Sequence, residues 1–335
     1  MADSQSHPQT QFDAKPGTRV WLITSAFSAL GYAVAREALK FGDYVVAGCR
    51  REEVELERRA GIAQNYDGGS EDVKSIQSLK SLGGDSCAVV ELDVRNIALC
   101  QSALAETIHI WGRIDVVLNC NSETYAGTLE ELHPNHILAQ FESTYFGPVN
   151  MMKSALPYLR KQRGGHLVNV TGLTGLMGTP ALSARCASDH ALEGFCDALA
   201  YEIAPFNIKV TIVQPPIEVK YLIFPPSPVF TYIGQRIDSI LSSPLHLQPS
   251  LQPAYNSPSH PFNTIKNILS STSQPDNILS ETVSIIMSIA ALENPPGRIV
   301  VGNEGIEQVK DRVKTVSEEL EEFLDASLGA DIPGG

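Results

Sequence analysis

Arg185 and Asp189 stand four residues apart within a stretch of helical periodicity over 182–204, so their side chains share one face of a helix. On a solvated face such a pair is an intrahelical ion pair of about 0.2–0.5 kcal/mol, or less with the arginine first. Facing a cleft, the same two groups do chemistry. A guanidinium binds a carbonyl or enolate oxygen, and a carboxylate moves a proton or holds a cationic nitrogen. Isomerisation, cyclisation, dehydration and pericyclic steps all suit that pair, and none needs a hydride. Tyr125 can supply a phenol or simply pack. Metal chemistry is not expected. The six cysteines (49, 87, 100, 120, 186 and 196) form no C-x-x-C pair and none has zinc-like spacing to a histidine, so they read as small core residues. His133 and His136, around Pro134 at a helix start, read as surface residues. His190 points about 100° round the helix from Asp189 and reads as structural.

The elements that position these residues show as alternating apolar runs and helical patterns. Short runs at 19–24, 44–47, 87–92, 114–118, 166–170, 208–213 and 298–301 predict buried strands. Helical spacing predicts helices at 30–41, 96–111, 135–161, 182–204 and 276–292, and an acidic helix near 306–326. Residues 51–85 read as a helix and a long loop. The fold class is α/β: a doubly wound parallel sheet, Rossmann-type, of about seven strands covered on both faces. Such sheets bind ligands at the carboxyl ends of their strands. By that logic Glu123, Thr124 and Tyr125, and Leu176, Met177 and Thr179, line the cleft.

One domain over 18–330 is expected, after a disordered tail at 1–17. Residues 215–275 hold 11 of the chain's 21 prolines, so regular structure there is expected to be sparse and the segment is expected to form a lid. The lid leaves the sixth strand at its carboxyl end and carries Tyr221, Phe224, Phe230, Tyr232, Tyr255 and Phe262. The 335-residue chain has 25 Lys+Arg against 38 Asp+Glu, a net charge of −13. That balance argues against nucleic acid and anionic membranes as partners. Residues 304–335 carry nine acids and three bases, read as a solvated helix face. No apolar leader or spanning run is visible, so a reduced, cytoplasmic setting is expected.

The segment 164–216 (GGHLVNVTGLTGLMGTPALSARCASDHALEGFCDALAYEIAPFNIKVTIVQPP) resembles the heart of a short-chain dehydrogenase/reductase. So do ITSAFSALG at 23–31, LDV at 92–94, VLNCNS at 117–122 and FESTYFGPVNMMKSALPYLR at 141–160. The resemblance implies a hydride-transferring fold in which a Tyr relays a proton, a Lys four residues on supports it, a Ser holds the substrate oxygen and an Asn holds a relay water. Here those positions are Arg185, Asp189, Gly172 and Thr144. Arg is protonated to above pH 12 and cannot donate at neutral pH. Asp189 inverts the charge of the Lys, and Gly172 has no hydroxyl, although Thr171 or Thr174 can stand beside it. The resemblance therefore implies a divergent member without the proton relay.

The resemblance also implies a cofactor site. The family's T-G-x-x-x-G-x-G loop reads Thr24–Gly31 here, with Ser25 and Ala29 in place of two glycines and Gly31 kept. Arg50, with Arg51, follows the second strand where the family meets the 2′-phosphate of NADP. Asp93 stands at the adenine position and Asn119 begins the turn that the family writes N-N-A-G. NADP(H) binding, weakened by the loop, is the expectation. The function expected is a non-redox step on a small organic, biosynthetic substrate, with Arg185, Asp189, Thr144 and Tyr125 as the catalytic set. The alternatives are an NADPH-dependent reductase acting without the Tyr, for example on an iminium, or a catalytically dead partner subunit. A homo-dimer or homo-tetramer through helices 135–161 and 182–204 is implied by the family's usual pairing.

Overall fold

Seven short strands form one parallel sheet. They are β1 (Val20–Ile23), β2 (Tyr44–Cys49), β3 (Cys87–Glu91), β4 (Val116–Asn119), β6 (Gly165–Val170), β7 (Ile208–Gln214) and β9 (Arg298–Val300), in the order β3-β2-β1-β4-β6-β7-β9. Register is continuous across the centre: Trp21 pairs with Val116, and Val117 with Leu167. The strand order reverses between β1 and β4, so the ligand crevice of such a sheet opens there. This computed structural model describes residues 17–55, 76–121, 123–216, 245–247, 253–255, 257–270 and 276–328. The expected tail and the lid aromatics Tyr221, Phe224, Phe230 and Tyr232 lie outside the described residues.

Successive strand side chains go to opposite faces, and each face has its own core. Trp21, Ile23, Val45, Ala47, Val116 and Leu118 pack with α1 (Ala29–Lys40) on one side. The helix equivalent to 276–292, Asp276–Ala290, covers the same side through Val283, Ile286 and Ile289. Leu22, Val46, Val117 and Leu167 face the other layer. That layer is built by α3 (Ile97–Trp111), α5 (Gly147–Gln162) and α6 (Ser183–Ile203); α2 is the short Ile76–Gly83.

Three features depart from the sequence reading. The long helix expected at 135–161 is α4 (Pro134–Phe141) and α5 joined by a π-helical turn, Glu142–Phe146, so one extra residue is accommodated where Thr144 sits. The Pro-rich insertion contains regular structure: strand β8 (Leu245–Leu247), a 3₁₀ turn at Pro253–Tyr255 and α7 (Pro261–Ser270). β8 pairs in parallel with β5 (Thr124–Ala126), a second small sheet immediately after β4. The described part of the insertion therefore reaches the carboxyl-end side of the main sheet, where the lid was expected. Its Phe262 is fully buried. Finally, with Asp276–Ala290 as α8, the acidic helix is α9 (Asn303–Glu322), followed by a short α10 (Leu324–Leu328).

Candidate active site

Helix α6 begins at Ser183, which places Arg185 in its first turn and Asp189 one turn later. Both are buried, at 5% and 1% exposure. Arg185 Nε donates to Asp189 Oδ2 at 2.7 Å. This pair is therefore not the solvated surface bridge that the spacing alone also allows. Nor is the guanidinium open to a substrate oxygen. Nη1 donates to Thr124 Oγ1 (3.2 Å) and the Glu123 carbonyl (3.4 Å), and Nη2 to the Thr171 carbonyl (3.1 Å). Four of the five guanidinium N–H groups are thus held by the protein. Arg185 ties the chain after β4 and the end of β6 to α6.

Asp189 is the less saturated partner. Its Oδ2 accepts from Arg185 and from Thr174 Oγ1 at 2.6 Å. Oδ1 takes no hydrogen bond among the described residues. Burial pushes the carboxyl above the ordinary aspartate range, and Arg185 and the Thr174 hydroxyl pull it only part of the way back. Thr174 is one of the two threonines expected to stand in for the missing Ser. The other, Thr171, instead donates to Glu193 Oε1 at 2.7 Å. Gly172 has φ +111, a left-handed-side conformation that a Ser would adopt only with strain.

Thr144 belongs to the same constellation through hydroxyls. Its Oγ1 lies 2.6 Å from Ser188 Oγ, which donates to the Arg185 carbonyl at 2.9 Å. Gln140 Nε2 donates to Thr144 Oγ1 (3.2 Å) and to the Glu123 carbonyl (2.8 Å). Where the resemblance places a water-holding Asn, this chain has side chains bonded to one another. Tyr125 stands apart. Its hydroxyl donates to Glu123 Oε1 at 3.4 Å and its ring stacks on His136 at 5.1 Å. Burial and the Glu123 carboxylate push the phenol up to about 12, so it is a poor acid at neutral pH. His136 is thus a packing partner of Tyr125 rather than a plain surface residue. Sequence reasoning missed Ser188 and Gln140. Ser188 lies three residues after Arg185, a spacing that places it on the same helix face.

The loop after β1 keeps its turn by a strained route. Ser25 adopts φ +48, the conformation for which glycine is favoured. Gly31 is required, because a Cβ there would lie 2.5 Å from the Ser25 carbonyl. Ser28 caps α1 by accepting from the Gly31 N–H at 3.0 Å. Ala29 is fully buried in the core and does not crowd the crevice. Asn119 also departs from its expected role. It is buried and donates to Asn169 Oδ1 at 2.8 Å, inside the sheet rather than toward a ligand.

At the other end of the crevice the polar groups pair among themselves. Arg95 makes a two-pronged bond to Asp93, with contacts of 2.9 and 2.7 Å, and reaches Glu123 Oε2 at 3.9 Å. Burial opposes the Asp93 charge, but the bonds from Arg95 outweigh it and hold the carboxyl below its usual range. Arg50 pairs with Glu53 at 3.3 Å and Arg51 with Glu91 at 3.0 Å. Asn121 Oδ1 accepts from Thr24 Oγ1 at 2.6 Å.

Residues 19–219 match the family model described as short chain dehydrogenase. The chain belongs to the short-chain dehydrogenase family. It is similar to oxidoreductase BOA17 of Botryotinia fuckeliana (strain B05.10), at 27% identity over 93% of this chain and 99% of that protein. A stretch of 124 residues is 40% identical to a 3-ketodihydrosphingosine reductase of Bacteroides thetaiotaomicron, covering 37% of this chain and 46% of the reductase. The crystal structure of a short-chain dehydrogenase from Streptomyces avermitilis superposes with a TM-score of 0.74 at 25% identity, over 94% of this chain and 99% of that one. A short-chain dehydrogenase/reductase from Burkholderia phymatum in complex with NAD has a TM-score of 0.64 at 18% identity, over 93% of this chain and 97% of that one, a likeness of fold.

Family members bind nicotinamide dinucleotides, and the turn at Ser25–Gly31 suits the pyrophosphate at a helix N-terminus. The two ends do not suit the rest. The nicotinamide end has Arg185 and Asp189 bonded to each other. At the adenosine end Asp93 is already paired with Arg95, and the Glu123 carboxylate sits beside them. The residues present do not fit the dinucleotide as the family holds it. Removing that carboxylate should help binding. Calorimetric titration of Glu123→Ala should show NADPH affinity raised roughly tenfold over the parent chain, about 1.4 kcal/mol of relieved repulsion. An unchanged or weaker affinity would show that Glu123 does not guard the crevice.

Proposed function

We propose that this chain is a family member that processes a small organic substrate by acid–base chemistry rather than by ketone reduction. The observation behind this reading is the buried Arg185–Asp189 pair in the positions of the Tyr and Lys. A carboxyl whose proton affinity is raised by burial takes and returns a proton near neutral pH more readily than an exposed aspartate. Asp189 Oδ1 is the oxygen left for that transfer. Arg185, with four of its donors engaged, is a positioning residue that holds the Asp189 carboxyl against Thr174. Isomerisation, cyclisation, dehydration and pericyclic steps are the reaction classes this supports, with the insertion covering the substrate. The second reading is a reductase that dispenses with the Tyr. The retained backbone turn at Ser25 favours it.

A ketone and alcohol panel with NAD(H) and NADP(H), followed at the nicotinamide absorbance, tests the proposal. No turnover is expected. The double variant Arg185→Tyr/Asp189→Lys should also stay inactive, because Gly172 is unchanged and Thr144 remains bonded to Ser188. Robust reduction of a simple ketone by the parent chain would refute the proposal. Reduction confined to cationic C=N compounds would favour the second reading.

For assembly, we infer self-association through the helices at 134–162 and 183–203. Leu138, Phe146 and Tyr201 are exposed there, at 62%, 52% and 85%. For location, the six cysteines are free and buried, which suits the cytoplasm. Among the described residues no helix is long and apolar enough to cross a membrane.

A further inference from the structure

Helix α9 was expected to be a solvated acidic helix, but its sequence carries a second pattern. Ile306, Val309, Val313, Val316, Leu320 and Phe323 recur at alternating spacings of three and four. That is the a/d repeat of a coiled coil, kept over about two and a half heptads. Every described side chain from Lys310 to Leu328 is exposed. The 20-residue helix runs about 30 Å, and its apolar stripe is uncovered from Val313 to Phe323, with Ile306 39% exposed and Val309 half-buried at the end nearest the sheet. Amphipathic helices in proteins gain most of their stability by packing the apolar face.

We propose that α9 pairs antiparallel with α9 of a second copy of this chain. The charges and side-chain sizes select this occupant. With the stripe in a and d positions, Arg312 and Glu319 fall at g. In an antiparallel pair of like helices g faces g, so Arg312 meets Glu319 of the other copy, and the two-fold axis repeats that contact. The same register stacks Ile306 on Phe323, Val309 on Leu320 and Val313 on Val316, so large residues meet smaller ones in the outer layers. A parallel pair would set Phe323 against Phe323, and would face Arg312 with Ser317 and Glu319 with Leu324. It would gain no charge contact from either g residue. The antiparallel pair also opposes the two helix dipoles.

Crosslinking in this chain tests the pairing, since the native cysteines are buried. Under mild oxidation, an equimolar mixture of Val309→Cys and Leu320→Cys chains should give a disulfide-linked dimer. Neither chain alone should do so, because like positions are about 16 Å apart along the axis. Linkage in Val309→Cys alone would indicate a parallel pair and would overturn the proposal, as would no linkage in the mixture. By sedimentation, Arg312→Glu and Glu319→Arg should each weaken assembly beyond the dimer made by the helices at 134–162 and 183–203 at least tenfold. The Arg312→Glu/Glu319→Arg chain should restore it. These exposed substitutions should leave the far-UV circular dichroism unchanged. Assembly beyond that dimer indifferent to all three would overturn the proposal.

Discussion

Arg185→Met should lower the unfolding free energy by about 3–5 kcal/mol, measured by urea denaturation at neutral pH. The size follows from burial. Asp189 is 1% exposed, and without the guanidinium its carboxylate keeps only the Thr174 hydroxyl as a donor among the described residues. An uncompensated buried charge is among the few single-residue changes that cost this much. The carbonyls of Glu123 and Thr171 lose a donor as well. The double variant Arg185→Met/Asp189→Leu should recover most of the loss, because replacing both members of a buried pair with apolar groups is often neutral. That recovery distinguishes a stranded charge from a packing defect, which the second substitution would deepen. A loss below about 1 kcal/mol in the single variant would mean that water reaches the pair, as at a surface bridge. The functional argument depends on the same burial, since exposure to water would remove the cause that raises the Asp189 proton affinity.

The main sheet was legible because parallel strands covered on both faces are mostly apolar, so they appear as short runs such as Val116–Leu118. Helix boundaries came within a few residues, since 3.6-residue spacing persists over several turns. The pairing of Thr124–Ala126 with Leu245–Leu247 was not legible. Three-residue strands have no measurable period, and their partners lie more than a hundred positions apart. The π-helical turn at Glu142–Phe146 was hidden for a related reason, because one extra residue barely shifts the apolar pattern. At the site, the family resemblance pointed to Arg185, Asp189 and Thr144, and helical spacing put the first two on one face. Neither could find what they touch, because Thr124, Thr171 and the Glu123 carbonyl come from other elements. Arg95 was overlooked although it stands two residues after Asp93. Its pairing turns an expected ligand contact into an internal bridge. Asn119 shows the converse error, in which a motif position was kept while its side chain turned into the sheet.

Acidification should destabilise the protein through His166, well above the pH at which exposed carboxylates titrate. The ring lies on β6, and Nε2 is 2.8 Å from Thr211 Oγ1, which itself donates to the Pro296 carbonyl at 2.6 Å. With the threonine proton committed, the imidazole must donate from Nε2, which fixes a neutral tautomer. Burial lowers the histidine from 6.5 to about 3, and the nearby Lys209 charge works in the same direction. The unfolded chain therefore binds this proton more readily than the folded one. The stabilising contribution is complete above pH 6.5 and declines as pH falls toward 3, at up to about 1.4 kcal/mol per unit. Asp189 and Glu193, both raised by burial, act with the opposite sign, because the folded state holds their protons more tightly. Total stability against pH therefore mixes the two effects, and a His166→Gln chain separates them. Glutamine does not titrate, so the stability difference between parent and variant carries only the histidine term. That difference should shrink or reverse by several kcal/mol between pH 6.5 and pH 3, whatever constant offset the lost ring introduces. A difference that stays flat across this window would mean that His166 gains its proton in the folded state as easily as in the unfolded one. The buried link from β6 through Thr211 to Pro296 would then not hold in solution.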